Sequence, residues 1–166
     1  MRCYVGAMHR KYEYRRCLPH YQKDKRALFI TFSTWHRWFL PPIVRHLALE
    51  ACIHADGSKC TLHAAVIMPD HVHLICTSLA DERGPFSIPE ITQKIKSESA
   101  HRINKALGRS GRVWQDESFD HVLRHGESLS GKIKYILENP VRAGLVKTPQ
   151  EYRWLWWDES LFKYAP

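Results

Sequence analysis

Apolar residues recur along this chain with two different spacings, one typical of strands and one typical of helices. Residues 27–35 read ALFITFSTW, and their β-branched and aromatic content with partial alternation predicts a first strand. Ile43, Leu47 and Ala51 instead recur at helical spacing and predict a helix. Along the whole chain, the patterns predict strands at 27–35, 62–68, 72–77 and 119–123 and helices at 43–55, 88–107 and 127–139.

Local signals set several of these boundaries. Ser87 with Glu90 three residues later is a capping box, and Gly108 follows the last apolar position of the helix that this box opens. Pro69 cannot donate a ladder hydrogen bond and belongs in the turn between two strands, while Pro140 predicts that the last helix ends near residue 139. The order strand, helix, strand, strand, helix, strand is ferredoxin-like. We therefore predict an α+β fold, with helices packed on one face of an antiparallel sheet and the helix at 127–139 added to that core.

The chain divides into three segments by composition. Residues 1–26 form a basic arm with interleaved tyrosines, for which a solvated arm and a nucleic-acid contact both stay open. Residues 27–148 form one domain, long enough to bury a core. Residues 149–166 form a tail rich in tryptophan, which we expect to pack on the domain.

Two histidines, His71 and His73, interrupt an apolar run. Side chains two apart on a strand point to the same face, so both imidazoles would lie together while Val72 and Leu74 pack on the other face. Such a pair suits a two-nitrogen metal site. The alternative is that each histidine is an ordinary hydrogen-bonded core residue.

Tyr135 and Asn139 lie four residues apart in the last predicted helix, so they share a stripe. At 100° per residue, the apolar residues of this helix fall on one stripe and Tyr135 falls on an adjacent one with Lys132. An amphipathic core role is the usual one for a helical tyrosine. The wheel instead predicts that Tyr135 points towards a polar and anionic partner.

Charge narrows the class of partner. Lys and Arg number 25 against 17 Asp and Glu among 166 residues, which gives a net charge of +8. This excess favours a polyanion, either nucleic acid or an acidic membrane surface. The apolar runs are no longer than strands, and no signal peptide is evident, so we expect a cytoplasmic protein. The 5 cysteines show no CxxC or zinc-like spacing, which argues for reduced thiols.

The chain contains the strings VIMPDHVHLI, GRVWQDESF and KYILENPVRAGLV. In this order and at these separations, they resemble the single-tyrosine HUH transposases of bacteria, and in particular the REP-associated tyrosine transposases. The resemblance covers about residues 18–157. It implies that His71 and His73 are metal ligands, that Tyr135 is the nucleophile and that Asn139 is the third ligand of Mg²⁺ or Mn²⁺. Related insertion-sequence enzymes often carry Gln at that last position, and Asn139 offers the same amide oxygen on a shorter side chain.

The expected function is that of a transposase that nicks and rejoins single-stranded DNA beside a hairpin. The resemblance implies a 5′-phosphotyrosine intermediate, and the phenol, whose reference pKa is near ~10, would need the cation and Lys132 to help it ionise. No nucleotide cofactor is expected, because the chain has no phosphate-binding Gly-rich loop. Two alternatives stay open: an HUH replication initiator or relaxase-like nickase, and a non-catalytic single-stranded nucleic-acid-binding module.

Basic residues between 94 and 112 decorate the second predicted helix and the segment after it. They form either a solvated face or a track for phosphates. The expected partner is single-stranded DNA with a hairpin, and the protein is expected to associate with the nucleoid as a monomer in preference to a homodimer. The candidate DNA contacts are Lys132, Arg142, Arg112, Gln115 and Arg26.

Overall fold

One antiparallel sheet organises the computed structural model, which describes residues 26–123 and 127–163. The arm predicted at 1–26 lies outside the described residues, apart from Arg26. A 3₁₀ turn at Trp35–Arg37 follows the first strand, and another at Pro149–Glu151 precedes the last. The strands and α-helices are β1 (Ala27–Thr34), α1 (Pro42–Ile53), β2 (Cys60–Ile67), β3 (His71–Ser78), β4 (Ala80–Asp81), β5 (Gly84–Pro85), α2 (Ile88–Ala106), β6 (Trp114–Val122), α3 (Leu129–Leu137), α4 (Asn139–Arg142) and β7 (Leu155–Trp157).

The main sheet has the order β6-β1-β3-β2-β7, and every neighbouring pair is antiparallel. Along the chain, β1, α1, β2, β3, α2 and β6 follow the predicted order of strand, helix, strand, strand, helix, strand. The predicted α+β fold is therefore confirmed. The β4–β5 hairpin, which the sequence analysis missed, is only two residues long on each side.

The two faces of the sheet carry different helices. β1 alternates strictly between the faces: Leu28, Ile30 and Phe32 are buried in the larger core with α1 and α2. Phe29 packs instead on the opposite face, in a smaller core to which α3 contributes Ile133, Ile136 and Leu137. The helix that carries Tyr135 therefore lies on the other side of the sheet from α1 and α2.

The tryptophan-rich tail extends the sheet. Leu155, Trp156 and Trp157 pair with Val66, Ala65 and Ala64 of β2, which adds β7 as an edge strand. Tyr152 is buried, and its hydroxyl donates to the carbonyl oxygen of Ile67 at 2.8 Å. The tail is thus held by backbone pairing as well as by its aromatic rings.

The sixth strand begins at Trp114 rather than at residue 119, which corrects the predicted boundary. Its start was hidden because the register with β1 shifts between Phe32 and Thr34: Phe32 pairs with Ser118 and Thr34 with Trp114. Residues 115–117 therefore oppose Ser33 alone, as a bulge that breaks the alternation a strand normally shows. The ammonium of Lys96 in α2 donates to the three carbonyls of this bulge, Gln115 O (2.9 Å), Asp116 O (3.2 Å) and Glu117 O (3.2 Å), and to the hydroxyl of Ser118, which follows it (2.8 Å).

The helix predicted at 127–139 is shorter and is followed by a second one. Ser128 caps α3 by accepting from the amide of Gly131, and α3 ends at Leu137. Asn139 begins the short helix α4, in whose first turn Pro140 is tolerated because an amide there needs no helical partner. Among the described residues, no helix has the length and apolar character that a membrane crossing requires.

Candidate functional site

His71 and His73 stand on β3, in the middle of the sheet. His73 pairs with Thr31 of β1 and His71 with Ser33, so both imidazoles project from the face that α3 partly covers. Their ring centroids lie 4.7 Å apart with planes at 76°. The predicted pair is therefore formed, on the predicted strand and on one face of it.

The Nδ1 atom of each imidazole already has a partner. His73 Nδ1 is hydrogen-bonded to Thr31 Oγ1 at 2.6 Å, and His71 Nδ1 to Asp70 Oδ1 at 2.6 Å. Within the described residues, nothing bonds to either Nε2 atom. Fixing one ring nitrogen by a hydrogen bond is how proteins orient the other for a metal, so this arrangement fits two Nε2 ligands.

His73 is held in its neutral form. Burial lowers its pKa from 6.5 to about 3, and the electrostatic effects of His71 and Arg142 act in the same direction. Phe29 stacks on the ring, with centroids 5.4 Å apart and planes at 27°. A neutral imidazole is the form that binds a metal, so His73 keeps a ligand lone pair well below neutral pH.

Tyr135 lies beside this pair. Its ring centroid is 6.4 Å from that of His73 and 6.0 Å from that of Phe29. The apolar residues of α3 face the sheet, whereas Tyr135 remains 46% exposed, as the helical wheel predicts. The structure thus brings the candidate nucleophile and the two candidate ligands together from α3 and β3.

The cation next to the phenol ring is Arg142 rather than Lys132. The Arg142 guanidinium carbon lies 4.2 Å from the Tyr135 ring centroid, and Nη2 donates to the Tyr135 carbonyl at 2.8 Å. Lys132 lies 3.4 Å from the Glu127 carboxylate, which also bonds to His121. Helical spacing in the sequence predicted Lys132 as the neighbour of Tyr135. In the structure, the chain changes direction between α3 and α4, and this brings Arg142 over the Tyr135 ring.

Asn139 was predicted to face outward on the same stripe as Tyr135, yet it begins α4 and is half-buried. Its Nδ2 atom is buried and has no hydrogen-bond partner among the described residues. The oxygen and nitrogen of a side-chain amide are distinguished only by their hydrogen bonds. A flip of the Asn139 amide would therefore place its oxygen at this buried position. A buried amide group with an atom that lacks a partner is suited to supply an oxygen ligand to a hard divalent ion. In the described part of the chain, no three His, Cys, Asp or Glu side chains gather into a metal site, so an amide would have to complete this one.

The other predicted DNA contacts fall in separate places. Arg112 lies over the Trp35 ring at 4.7 Å and pairs with Asp116 at 2.8 Å, beside the bulge that contains Gln115. Arg26 precedes β1, at the end of that strand opposite to Ser33 and His71. Arg112 and Gln115 therefore lie near the end of β1 that is remote from Arg26.

Sequence reasoning missed the residues that orient the site. Asp70 directly precedes His71, so its role could have been suspected from the string PDHVH. Thr31 and Phe29 are more than forty residues from His73, and only the pairing of β1 with β3 reveals them. No local pattern marks either residue.

Comparison with known proteins gives a consistent result. A family model described as "Transposase IS200 like" matches residues 43–138, more than half of the chain, and this range contains His71, His73 and Tyr135. The REP-associated tyrosine transposase of Escherichia coli K12 is 30% identical over 91 residues, covering 55% of this chain and 50% of that protein. A Haemophilus influenzae protein provisionally named a REP-associated tyrosine transposase is 26% identical over 96 residues, covering 54% of each chain. The chain spans about half the length of the curated relatives it matches.

One solved structure shares the fold. It is described as a REP-associated tyrosine transposase bound to a REP hairpin, and it matches with a TM-score of 0.62 at 23% identity. The match covers 87% of this chain and 82% of that one. Since the match extends well beyond residues 43–138, the similarity of fold includes parts of the chain that the family model leaves out.

Proposed function

Because this chain belongs to the IS200-like transposase family, we propose that it is a REP-associated transposase that cuts and rejoins single-stranded DNA beside a hairpin. One observation carries the proposal: the Tyr135 ring lies 6.4 Å from His73, whose Nδ1 atom is fixed and whose Nε2 atom no described residue binds. A nucleophile beside two preoriented imidazoles suits phosphoryl transfer through a covalent intermediate.

The proposed cleavage step uses the Tyr135 hydroxyl. Its oxygen attacks the scissile phosphorus and forms an O–P bond, while the bond from phosphorus to the 3′ oxygen breaks. The phenol proton leaves to solvent and the departing oxygen takes up a proton, which gives a 5′-phosphotyrosine and a free 3′-hydroxyl. Rejoining is the reverse attack by a 3′-hydroxyl, so the energy of the phosphodiester is retained and no nucleotide cofactor is needed.

His71, His73 and Asn139 would hold Mg²⁺ or Mn²⁺. Bound there, the ion would supply positive charge to the phosphate oxygens as negative charge builds on them. Asp70 and Thr31 keep the two imidazoles in place through their Nδ1 atoms. These two residues would therefore determine whether the ligand atoms are already arranged before DNA binds.

Arg142 is placed to support the nucleophile. It fixes the backbone of Tyr135 through the carbonyl bond and covers one face of the ring with a guanidinium. The Arg142 side chain is 43% exposed, so its guanidinium, which lies 3.6 Å from the Glu138 carboxylate, can also bind the phosphodiester that approaches the Tyr135 hydroxyl. Lys132, paired with Glu127, is expected to contribute to DNA binding rather than to ionisation of the phenol.

The decisive experiment is adduct formation with the full chain. Hairpin DNA carrying a single-stranded extension is incubated with the protein and Mg²⁺ or Mn²⁺, and covalent complexes are resolved on a denaturing gel. The wild type should give an adduct that chelation of the metal abolishes, and mass spectrometry of the digested adduct should place the nucleotide on Tyr135. Tyr135→Phe keeps the ring and should bind DNA but give no adduct.

Tyr152→Phe is the matched control, since it removes a hydroxyl elsewhere in the structure and should leave the adduct intact. An adduct on another residue, or cleavage by Tyr135→Phe with a water-derived end, would refute the nucleophile assignment. Binding of hairpin DNA without any adduct would instead favour a non-catalytic nucleic-acid-binding module.

A further inference from the structure

A second candidate site lies at the end of β1, away from the histidine pair. The 3₁₀ turn at Trp35–Arg37 forms one side of an open cleft of about 450 Å³, and the segment between α2 and β6 forms the other. A cleft of this size accommodates a group as large as a nucleotide. Its lining residues are Trp35, His36, Trp38, Arg109 and Arg112.

The lining combines flat aromatic rings with guanidinium groups. The Arg112 guanidinium carbon lies 4.7 Å from the Trp35 ring centroid, and that of Arg109 lies 4.3 Å from the Trp38 centroid. His36 meets the edge of Trp35, with centroids 4.5 Å apart. Trp35 is 36% exposed, although a tryptophan of the core would be covered. A guanidinium thus covers one face of each indole, and an unpaired base can stack on an indole while its phosphate binds to a guanidinium.

The cleft is held in a fixed shape by contacts that do not involve a ligand. Arg109 Nη2 donates to the Arg112 carbonyl at 3.1 Å, and Arg112 Nη1 to Asp116 Oδ2 at 2.8 Å. The amide of Trp35 donates to the Val113 carbonyl at 2.8 Å, which joins the two walls. The rings and cations are therefore arranged in advance of binding, which lowers the entropic cost of holding a ligand.

The backbone of the turn is strained. His36 and Arg37 have φ angles of 51° and 56°, in the left-handed region that residues with a Cβ atom rarely adopt. Two consecutive residues of this kind persist only where the surroundings impose them, and such strain concentrates at binding sites. Here the conformation aims Trp35 and His36 at the cleft.

The same turn is connected to the histidine pair. Arg37 Nη1 donates to Asp70 Oδ2 at 3.2 Å, and the other oxygen of that carboxylate bonds to His71 Nδ1. The cleft thus lies at the end of the sheet where β3 begins with His71.

We infer that this cleft binds one unpaired nucleotide of the single-stranded segment next to the hairpin, with the base against Trp35 and the phosphate at Arg109 and Arg112. The inference rests on the proposed function, because it assigns a place to part of the same DNA. The cleft would be a second place, outside the reaction centre, at which the protein binds the DNA strand.

Binding measurements with Trp35→Ala test the inference. The probes are a hairpin with a single-stranded extension and the same hairpin with a blunt end. Loss of one stacked base should weaken binding of the extended hairpin about five- to hundredfold and leave the blunt hairpin unaffected. Trp35→Phe should recover part of the loss, since it restores a ring for stacking. Phe39→Ala is the control, because Phe39 is 69% exposed in the same segment but does not line the cleft.

Photocrosslinking of the wild type makes the test independent of folding of the variant. A 5-iododeoxyuridine is placed at each unpaired position in turn, and at one of them the crosslink should map to Trp35 or Trp38. If the wild type forms the Tyr135 adduct but no position crosslinks to these residues, or Trp35→Ala binds the extended hairpin normally, the cleft inference fails while the proposed function stands. Absence of the adduct, by contrast, counts against the proposed function whatever the crosslinks show.

Discussion

Replacing Lys96 by methionine should destabilise the fold, because its ammonium is the donor that satisfies the bulge of β6. The side chain is 9% exposed, and its stem passes the Phe32 ring, with Nζ 5.2 Å from the centroid. Burial lowers the pKa of Lys96 to about 8, so the group is an ammonium at neutral pH. Lys96→Met keeps the apolar stem and removes every N–H bond to Gln115, Asp116, Glu117 and Ser118.

The loss of unfolding free energy in Lys96→Met depends on the number of hydrogen bonds removed and on how far water can reach the bulge. Three N–H groups serve the four acceptors at 2.8 to 3.2 Å. Hydrogen bonds to charged groups contribute about 1.5–3 kcal/mol each. Asp116 and Glu117 are exposed, so water can replace part of the loss, and about 1 kcal/mol per donor is the better figure. Burial of the terminal methyl group of methionine offsets up to ~1 kcal/mol of this, which leaves a net loss of unfolding free energy of about 2–3 kcal/mol.

Urea unfolding followed by tryptophan fluorescence measures this loss. With a slope of about 2 kcal/mol per molar, the midpoint should fall by about 1 M. Lys94→Met on the same helix is the control, because no hydrogen bond or ion pair of Lys94 is found among the described residues, and its midpoint should not move. A change below about 0.5 kcal/mol in Lys96→Met would show that the bulge does not depend on the ammonium.

Two further predictions concern the histidine pair. Thr31→Val preserves the shape of the side chain but removes the hydroxyl that bonds to His73 Nδ1. The Mn²⁺ concentration for half-maximal adduct formation should therefore rise about 10- to 100-fold, as it does when other groups that orient metal ligands are removed. Thr61→Val, at an exposed position on β2, is the control, and equal Mn²⁺ concentrations for the two variants would contradict the role assigned to Thr31. Lowering the pH from about 6.5 towards 3 should destabilise the wild type, because His73 takes up a proton when unfolded and resists protonation when folded. As the pH is lowered, the urea midpoint should therefore fall less steeply for His73→Gln than for the wild type. Equal dependence of the two midpoints on pH would refute this reasoning.

The sequence predicted those features whose signals are local. The capping box of Ser87 and Glu90 is present at the start of α2, with Ser87 Oγ accepting from the Glu90 amide. The alternation of β1 and the spacing of His71 and His73 were sufficient to assign faces, because a strand has a period of two. The helical wheel likewise separated Tyr135 from the apolar residues that pack on the sheet.

Features that depend on distant parts of the chain could not be predicted in this way. The bulge in β6 has its carbonyls satisfied by Lys96, about twenty residues earlier, which supplies donors that the β1 ladder does not provide. The cation over Tyr135 could not be chosen from spacing, because Arg142 reaches the ring only after the chain turns from α3 into α4. The edge strand β7 was read as a packed tail, since three residues carry no strand signal of their own.

Asp70 gives a physical reason why the two proposed DNA contacts would act at a fixed distance from each other. Its side chain joins His71 to Arg37, and its carbonyl accepts from the amide and the hydroxyl of Thr34 at 2.9 and 3.0 Å. The residue that orients one imidazole therefore also fixes the end of β1 from which the strained turn departs. An enzyme that cuts at a set position relative to a recognised base needs such a rigid connection, because an error of one nucleotide would move the scissile phosphate away from Tyr135.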